Sequence, residues 1–253
     1  MNTLFLKFLL KLKKINYFSQ KGQDKWIIEE VFNFKKNGYF LDLAASDGIT
    51  DNNTYFLEKY LNWNGIAVEA NQKSFEKLAI SRKAICASEC IDGKKRKVKF
   101  VNNSGMGGIV DKDTDNTPNL KKSKYYKLHK LSGRKISNED LKKLRDAIEI
   151  KNTTTLEDLL DKYQAPKIID FFSFDVEGAE TRILKNFPFN KYIFNIIVIE
   201  RPTPELNKIL FKNGYIFLRK SDVLNNFDFY YVHKTFEKAH DIPKEEFTEV
   251  DPL

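Results

Sequence analysis

Apolar residues in this chain fall in short runs, each broken by an acidic or small polar residue. Tyr39–Leu43 carries Asp42 and passes into Ala44-Ala45-Ser46-Asp47-Gly48. Gly65–Ala70 contains Glu69 near its end, Lys167–Phe174 runs into Asp175, and Phe194–Ile199 runs into Glu200. Continuous apolar runs of this length predict strands buried on both faces, as in a parallel sheet. Between them the spacing turns helical, predicting helices over Trp26–Phe34, Thr54–Leu61, 72–81, Thr155–Tyr163 and Pro204–Asn213, with another starting at Glu180. Asn52 or Asn53 can cap the second of these. Thr154 or Thr155, followed by Glu157 and Asp158, opens the fourth as a capping box. Asn186 can end the helix from Glu180 as a left-handed cap. Another strand is predicted around Lys83–Ala87. Tyr215–Arg219 and Phe227–His233 have no helix between them, which predicts antiparallel pairing. The expectation is an α/β fold: a seven-stranded mixed sheet with helices on both faces.

Some stretches do not fit that rhythm. Residues 1–18 are rich in Leu and Phe, with Lys7, Lys11 and Lys14 spaced for one helical face. They suit a basic amphipathic helix in peripheral contact with an anionic membrane, or a helix packed on the domain. No apolar run there is long enough to span a bilayer. Val98–Val101 and Gly108–Val110 can pair as a hairpin around Ser104-Gly105-Met106-Gly107-Gly108. Residues 112–150 form a polar, Lys-rich insertion, a lid, substrate arm or solvated loop, with a short helix predicted near Glu139–Ile148. The expected organisation is therefore 1–18 as an N-terminal segment, 19–235 as one domain carrying the insertion, and 236–253 as a charged peripheral tail.

Charge adds a constraint. The formal net charge is +8, but of 43 basic residues only seven are Arg. Arg is the better reader of phosphates and base edges, so a specific nucleic-acid partner is not expected. Cys86 and Cys90 make neither a disulfide framework nor a zinc set, which suits a reducing, cytoplasmic compartment.

The chemistry concentrates where the apolar runs end. A strand, a turn of small residues and a helix is where an open α/β sheet binds a nucleotide-like ligand. Asp-x-Ala-x-x-x-Gly lacks the glycine pattern for pyrophosphate, and its acidic start suits a cationic ligand. Glu69, at the end of the next strand, is placed to accept hydrogen bonds from ribose hydroxyls. Asp175, Glu177 and Glu200 gather further carboxylates at the same edge. Clustered carboxylates there suit a general base or a hard cation such as Mg²⁺.

Six stretches resemble the FkbM family of S-adenosylmethionine-dependent methyltransferases. They are Ser19-Gln-x-Gly-Gln-Asp24, Phe40-Leu-Asp-Leu-Ala-Ala-Ser-Asp-Gly48 with Asn53-Thr54, Trp63-x-Gly-Ile-Ala-Val-Glu-Ala70, Thr155-Leu-Glu-Asp-Leu159 and Phe174-Asp-Val-Glu-Gly-Ala-Glu180. Ala44 departs from the family, which usually has Gly there. The resemblance implies a Rossmann-like class I methyltransferase fold and S-adenosyl-L-methionine as cofactor. It assigns Asp42, Ser46 and Gly48 to the methionine side, Glu69 to ribose, and Ala87 and Ser88 to adenine. Gln23, Ala44, Asn53 and Asp175 fall within the matching stretches and join the cofactor set. It further implies O-methylation of a sugar or glycan-linked acceptor. Asp175 or Glu177 is the expected base, with Glu200 and His233 as second candidates, and Asp175, Glu177 and Glu200 are the candidate Mg²⁺ ligands. The competing expectation is a non-catalytic methyltransferase-like scaffold or membrane-associated partner, its cofactor turn narrowed by Ala44.

Overall fold

The structure is a computed structural model, and it describes residues 2–102, 107–118, 137, 139, 147–223 and 226–247. Seven strands form the main sheet: β1 (Tyr39–Leu43), β2 (Asn64–Val68), β3 (Ile85–Ala87), β8 (Ile168–Phe174), β9 (Ile193–Glu200), β10 (Tyr215–Val223) and β11 (Asn226–His233). Their order is β10-β11-β9-β8-β1-β2-β3. β3, β2, β1, β8 and β9 run parallel, and β11 lies antiparallel to both β9 and β10. This is the seven-stranded mixed sheet expected from the sequence.

Period-two alternation divides each central strand between two cores. Leu41, Leu43, Phe172 and Phe174 face one side, where they meet α5 (Leu156–Lys162), α6 (Glu180–Lys185) and α7 (Pro204–Lys212) through Leu159, Leu184 and Leu210. Phe40 and Phe171 face the other. There they meet α2 (Gln23–Trp26) with its π-helical continuation Ile27–Val31, then α3 (Tyr55–Leu61) and α4 (Gln72–Ser81). The N-terminal helix α1 (Thr3–Lys11) docks on this second face through Leu6. Helix starts follow local chemistry. Asn52 Oδ1 accepts from the amides of Thr54 and Tyr55, and Thr155 Oγ1 accepts from Asp158 N at 3.1 Å.

Other features depart from the sequence reading. The predicted helix Trp26–Phe34 starts earlier, at Gln23, and loosens into the π-helical turn. Asn186 ends α6 at φ −116°, not in the left-handed region. The described part of the tail, 236–247, is not peripheral. Phe236, Ala239 and Ile242 are buried, and Glu245 N donates to Leu218 O of edge strand β10, so the tail covers an otherwise open sheet edge. The hairpin forms as β5 (Lys97–Val101) and β6 (Gly108–Ile109), but within a second sheet ordered β4-β7-β5-β6, with β4 at Cys90–Ile91 and β7 at Ile148–Thr154. The helix expected near Glu139–Ile148 lies almost wholly outside the described residues, and Ile148 itself begins β7.

Candidate active site

The carboxyl ends of β1, β2, β8 and β9 share one edge. Four residues at this edge, Ala44 (φ +69°), Ser46 (+52°), Glu177 (+60°) and Arg201 (+46°), are left-handed without being glycine. Non-glycine residues pay for that geometry, and it gathers at binding edges.

A cavity lies between this edge and the second sheet. Its walls are Leu43 and Ala44 after β1, Glu69 and Ala70 after β2, Cys90 and Ile91, Phe100 and Ile109, and Val176. Two carboxylates, Glu69 and Glu89, among otherwise apolar walls suit a nucleoside-like ligand in their chemistry. The enclosed volume is about 40 Å³, far below the ~300–1,000 Å³ of small-molecule sites. A ligand of that size requires the walls to part. Glu69 Oε2 accepts from Ser46 N at 2.8 Å and Oε1 from Asn71 N at 2.7 Å. Burial raises its pKa above the usual range, although both amides favour the charged form.

Other members of the expected cofactor set build the turn without lining the cavity. Asp42 is buried and accepts from Asn52 Nδ2 at 2.9 Å and Thr54 Oγ1 at 2.7 Å. Burial raises its pKa, against the pull of Arg82 and these hydrogen bonds. Asn53 Nδ2 donates to Ser173 Oγ at 2.9 Å, and Asn53 Oδ1 is buried with no hydrogen-bond partner. A Cβ on Gly48 would meet Leu78 Cδ1 at 2.7 Å, so this glycine serves helix packing rather than ligand approach. Ala87 is buried in the strand and Ser88 is exposed; Glu89 and Cys90 face the cavity instead, because β3 ends early and the chain turns into β4. Gln23 is held elsewhere: its Nε2 donates to Asp228 Oδ2 at 2.8 Å, on β11. β11 is three strands from β1, about 14 Å at ordinary strand spacing.

Beyond β8 the edge becomes an acidic shelf. Asp175 and Glu177 follow β8, Glu200 ends β9, and Asp228 pairs opposite Glu200. Asp115 arrives from the start of the insertion, its amide donating to Glu177 O at 3.0 Å. Arginines clamp that segment. Arg96 holds Asp111 at 2.9 Å, Arg182 holds Asp113 at 2.6 Å, and Arg201 holds Asp115. Gly178 (φ +94°) permits the approach, since a Cβ there would meet Asp115 N at 2.8 Å. Burial raises the Asp228 pKa, and Glu200 adds to the effect while Lys21, 3.4 Å away, opposes it. Glu180 Oε1 accepts from Val176 N at 2.9 Å and closes the turn after β8. Burial, with Asp115 and Glu200 nearby, pushes its pKa to about 7.

Two expectations need correction. The carboxylates that converge are Asp115, Glu177 and Glu200, with oxygens within 4.8 Å of one another; among the described residues Asp175 is not in the set. Arg201 Nη2 already bonds Asp115 and, at 2.9 Å, Glu200. The Arg201 guanidinium already supplies positive charge to two of these three carboxylates, so a divalent ion there would compete with it. His233 lies at the opposite edge. β11 runs antiparallel to β9, which puts His233 five residues past the Asp228–Glu200 pair, about 17 Å along the strand. There it stacks edge-on against Tyr215 and bonds Thr235 Oγ1 at 2.6 Å. The residues missed from sequence are Arg82, Asp115 and Asp228, together with the bond from Arg201 to Asp115. Arg82 is buried and donates to Gly48 O, Asn52 Oδ1, Thr54 Oγ1 and Glu58 Oε2, holding the whole cofactor turn.

No curated protein matches this sequence. Similar solved structures include the METTL16 MTase domain, at 10% identity and TM-score 0.44 over 85% of this chain and 66% of that one. The human methyltransferase 10 domain containing protein aligns at 11% identity and TM-score 0.41, over 85% and 80%. A SAM dependent methyltransferase from Aquifex aeolicus aligns at 12% and 0.36, over 82% and 88%. This chain thus spans just under two thirds of the METTL16 domain. The family model described as Methyltransferase FkbM domain matches residues 42–217, from Asp42 of the turn to Phe217 of β10, and the chain belongs to that family of S-adenosylmethionine-dependent methyltransferases.

Proposed function

We propose that this methyltransferase transfers a methyl group to a hydroxyl of a sugar or a glycan-linked small molecule. The observation that carries this reading is the acidic shelf beside the cofactor turn: Asp175, Glu177, Glu200, Asp228 and Asp115. Carboxylates accept hydrogen bonds from hydroxyls and repel a phosphate backbone, which supports a polyhydroxylated acceptor over a nucleic acid.

Glu69 would take the ribose hydroxyls, the Ala44–Ser46 turn the methionine end, and the walls at Ile91, Phe100 and Ile109 the adenine ring. The bound sulfonium supplies an already activated methyl group. The protein's own part is to orient the acceptor and receive its proton. Asp175 or Glu177 is the proposed base, and Glu200, paired with Arg201, the weaker candidate. A base contributes about 10²–10⁴-fold. The test measures S-adenosylhomocysteine release over a panel of sugars, with Asp175→Asn and Glu177→Gln alongside wild type. The expected result is a sugar-dependent turnover that falls by that factor in one variant while cofactor affinity holds. Turnover intact in both removes the role, and methylation of RNA in preference to sugars overturns the acceptor class.

The narrow cavity and Ala44 favour a second reading, a non-catalytic scaffold. Calorimetry with S-adenosylmethionine and S-adenosylhomocysteine separates the two: absence of binding to folded protein puts the scaffold first.

A further inference from the structure

Helix α1 is apolar on two sides. Leu6 is buried in the domain core and Leu10 packs partly against it. The opposite side leaves Leu4, Phe5, Phe8 and Leu12 at 77, 53, 54 and 50% exposure. Their i, i+4, i+8 spacing makes one stripe along a helix of about 14 Å. Packing on the domain therefore accounts for the inner face only. The outer stripe puts two Phe and two Leu into solvent, which a water-facing helix does not need.

The surroundings of the stripe are predominantly basic. Residues 2–23 contain Lys7, Lys11, Lys13, Lys14 and Lys21 and no acidic residue. A cleft of about 510 Å³ opens beside α1, lined by Lys7, Lys11 and Lys25 together with Leu10, Ile15 and Phe34. Glu29, the one acidic residue lining it, is engaged by Tyr17 Oη at 2.7 Å.

We infer that α1 and this cleft form a docking face for an anionic phospholipid surface, with Phe5 and Phe8 entering the acyl boundary and the lysines meeting headgroup phosphates. The choice of occupant follows from charge. A second copy of the chain would bring lysines against lysines across a two-fold contact. An anionic bilayer satisfies both the apolar stripe and its basic border. No helix among the described residues is long and apolar enough to cross a membrane, so the contact is interfacial. The inference stands apart from the acceptor reading and survives its failure.

The test is co-sedimentation of the full chain with phosphatidylcholine vesicles, with and without phosphatidylglycerol. Binding is expected only with the anionic lipid and is expected to fall as salt rises. Each lysine near an anionic surface is worth about fivefold in partitioning, so K11Q/K13Q/K14Q should bind about 100-fold more weakly. Phe5→Ser with Phe8→Ser removes only exposed apolar surface and is expected to lose about tenfold or more with the circular dichroism spectrum intact. No binding of folded wild type at low salt overturns the inference. So does undiminished binding of the Phe5/Phe8 variant, or a dimer in sedimentation velocity that this variant abolishes.

Discussion

Replacing Ala44 with glycine tests the cofactor turn on two separable counts. Ala44 sits at φ +69°, where an L side chain costs about 1–2 kcal/mol. Glycine relieves that strain but frees the unfolded chain, returning about 0.4–1 kcal/mol. The net expectation is a stabilisation of about 0.5–1 kcal/mol, or roughly 1–4 °C in Tm for a chain of this size. The second count is steric. Ala44 lines the cavity of about 40 Å³, so removing its methyl widens the turn where the ligand must enter. Affinity for S-adenosylhomocysteine is expected to rise about three- to tenfold, equivalent to roughly 0.7–1.4 kcal/mol. Thermal melts of the free protein read the first count and titration calorimetry the second. A lowered Tm refutes the strain argument. An unchanged affinity beside a raised Tm refutes the steric one, and leaves the cavity's other walls as the barrier to binding.

Other expectations follow from the same edge. Gly178→Ala should destabilise by about 1–3 kcal/mol in urea melts, because it combines a left-handed φ with a clash against backbone; a neutral result would mean the 111–115 clamp yields easily. Glu69→Ala should weaken cofactor binding about 30-fold and also lower stability, since Ser46 N and Asn71 N lose their acceptor, whereas Glu69→Gln keeps an acceptor and should lose less of both. Glu180 holds its proton up to about pH 7 in the folded state against an ordinary value of 4.5. Its stabilising contribution is therefore complete below pH 4.5 and is lost as pH rises through 7. That amounts to about 3 kcal/mol. Glu180→Gln should flatten this part of the stability–pH curve, and an unchanged slope in denaturation between pH 5 and 8 would count against the raised pKa.

The main sheet was legible because its parallel strands are buried on both faces, so each reads as an unbroken apolar run. The second sheet was not. β4 and β6 are two residues each, and β7, Ile148-Glu-Ile-Lys-Asn-Thr-Thr154, is only partly buried. Its register with β5 joins Val101 to Ile148 across the whole insertion, a pairing no local pattern encodes. As a result the apolar half of the cavity, Phe100 and Ile109, stayed hidden while Ala44 and Glu69 were visible. The position of His233 was within reach, since antiparallel pairing of the last strands was expected and already places its end at the far edge. The scarcity of arginine also bears on the site. A chain with seven arginines among 43 basic residues spends Arg where a fork is needed. Arg82, Arg96, Arg182 and Arg201 each hold carboxylates, and together they fix the cofactor turn and the shelf.

The stretch Asp175-Val-Glu-Gly-Ala-Glu180 shows why shared acidity does not mean shared chemistry. Its carboxylates are two and three residues apart on a turn, so they cannot face the same way. Asp175 continues from the strand end onto the shelf. Glu177, held left-handed, swings toward Glu200 and Asp115. Glu180 turns back to accept Val176 N and Gly178 N from its own loop. The first two are the proposed bases, and Glu180 fixes the loop that carries them. Loss of activity in a Glu180 variant should therefore come with a shifted stability–pH curve.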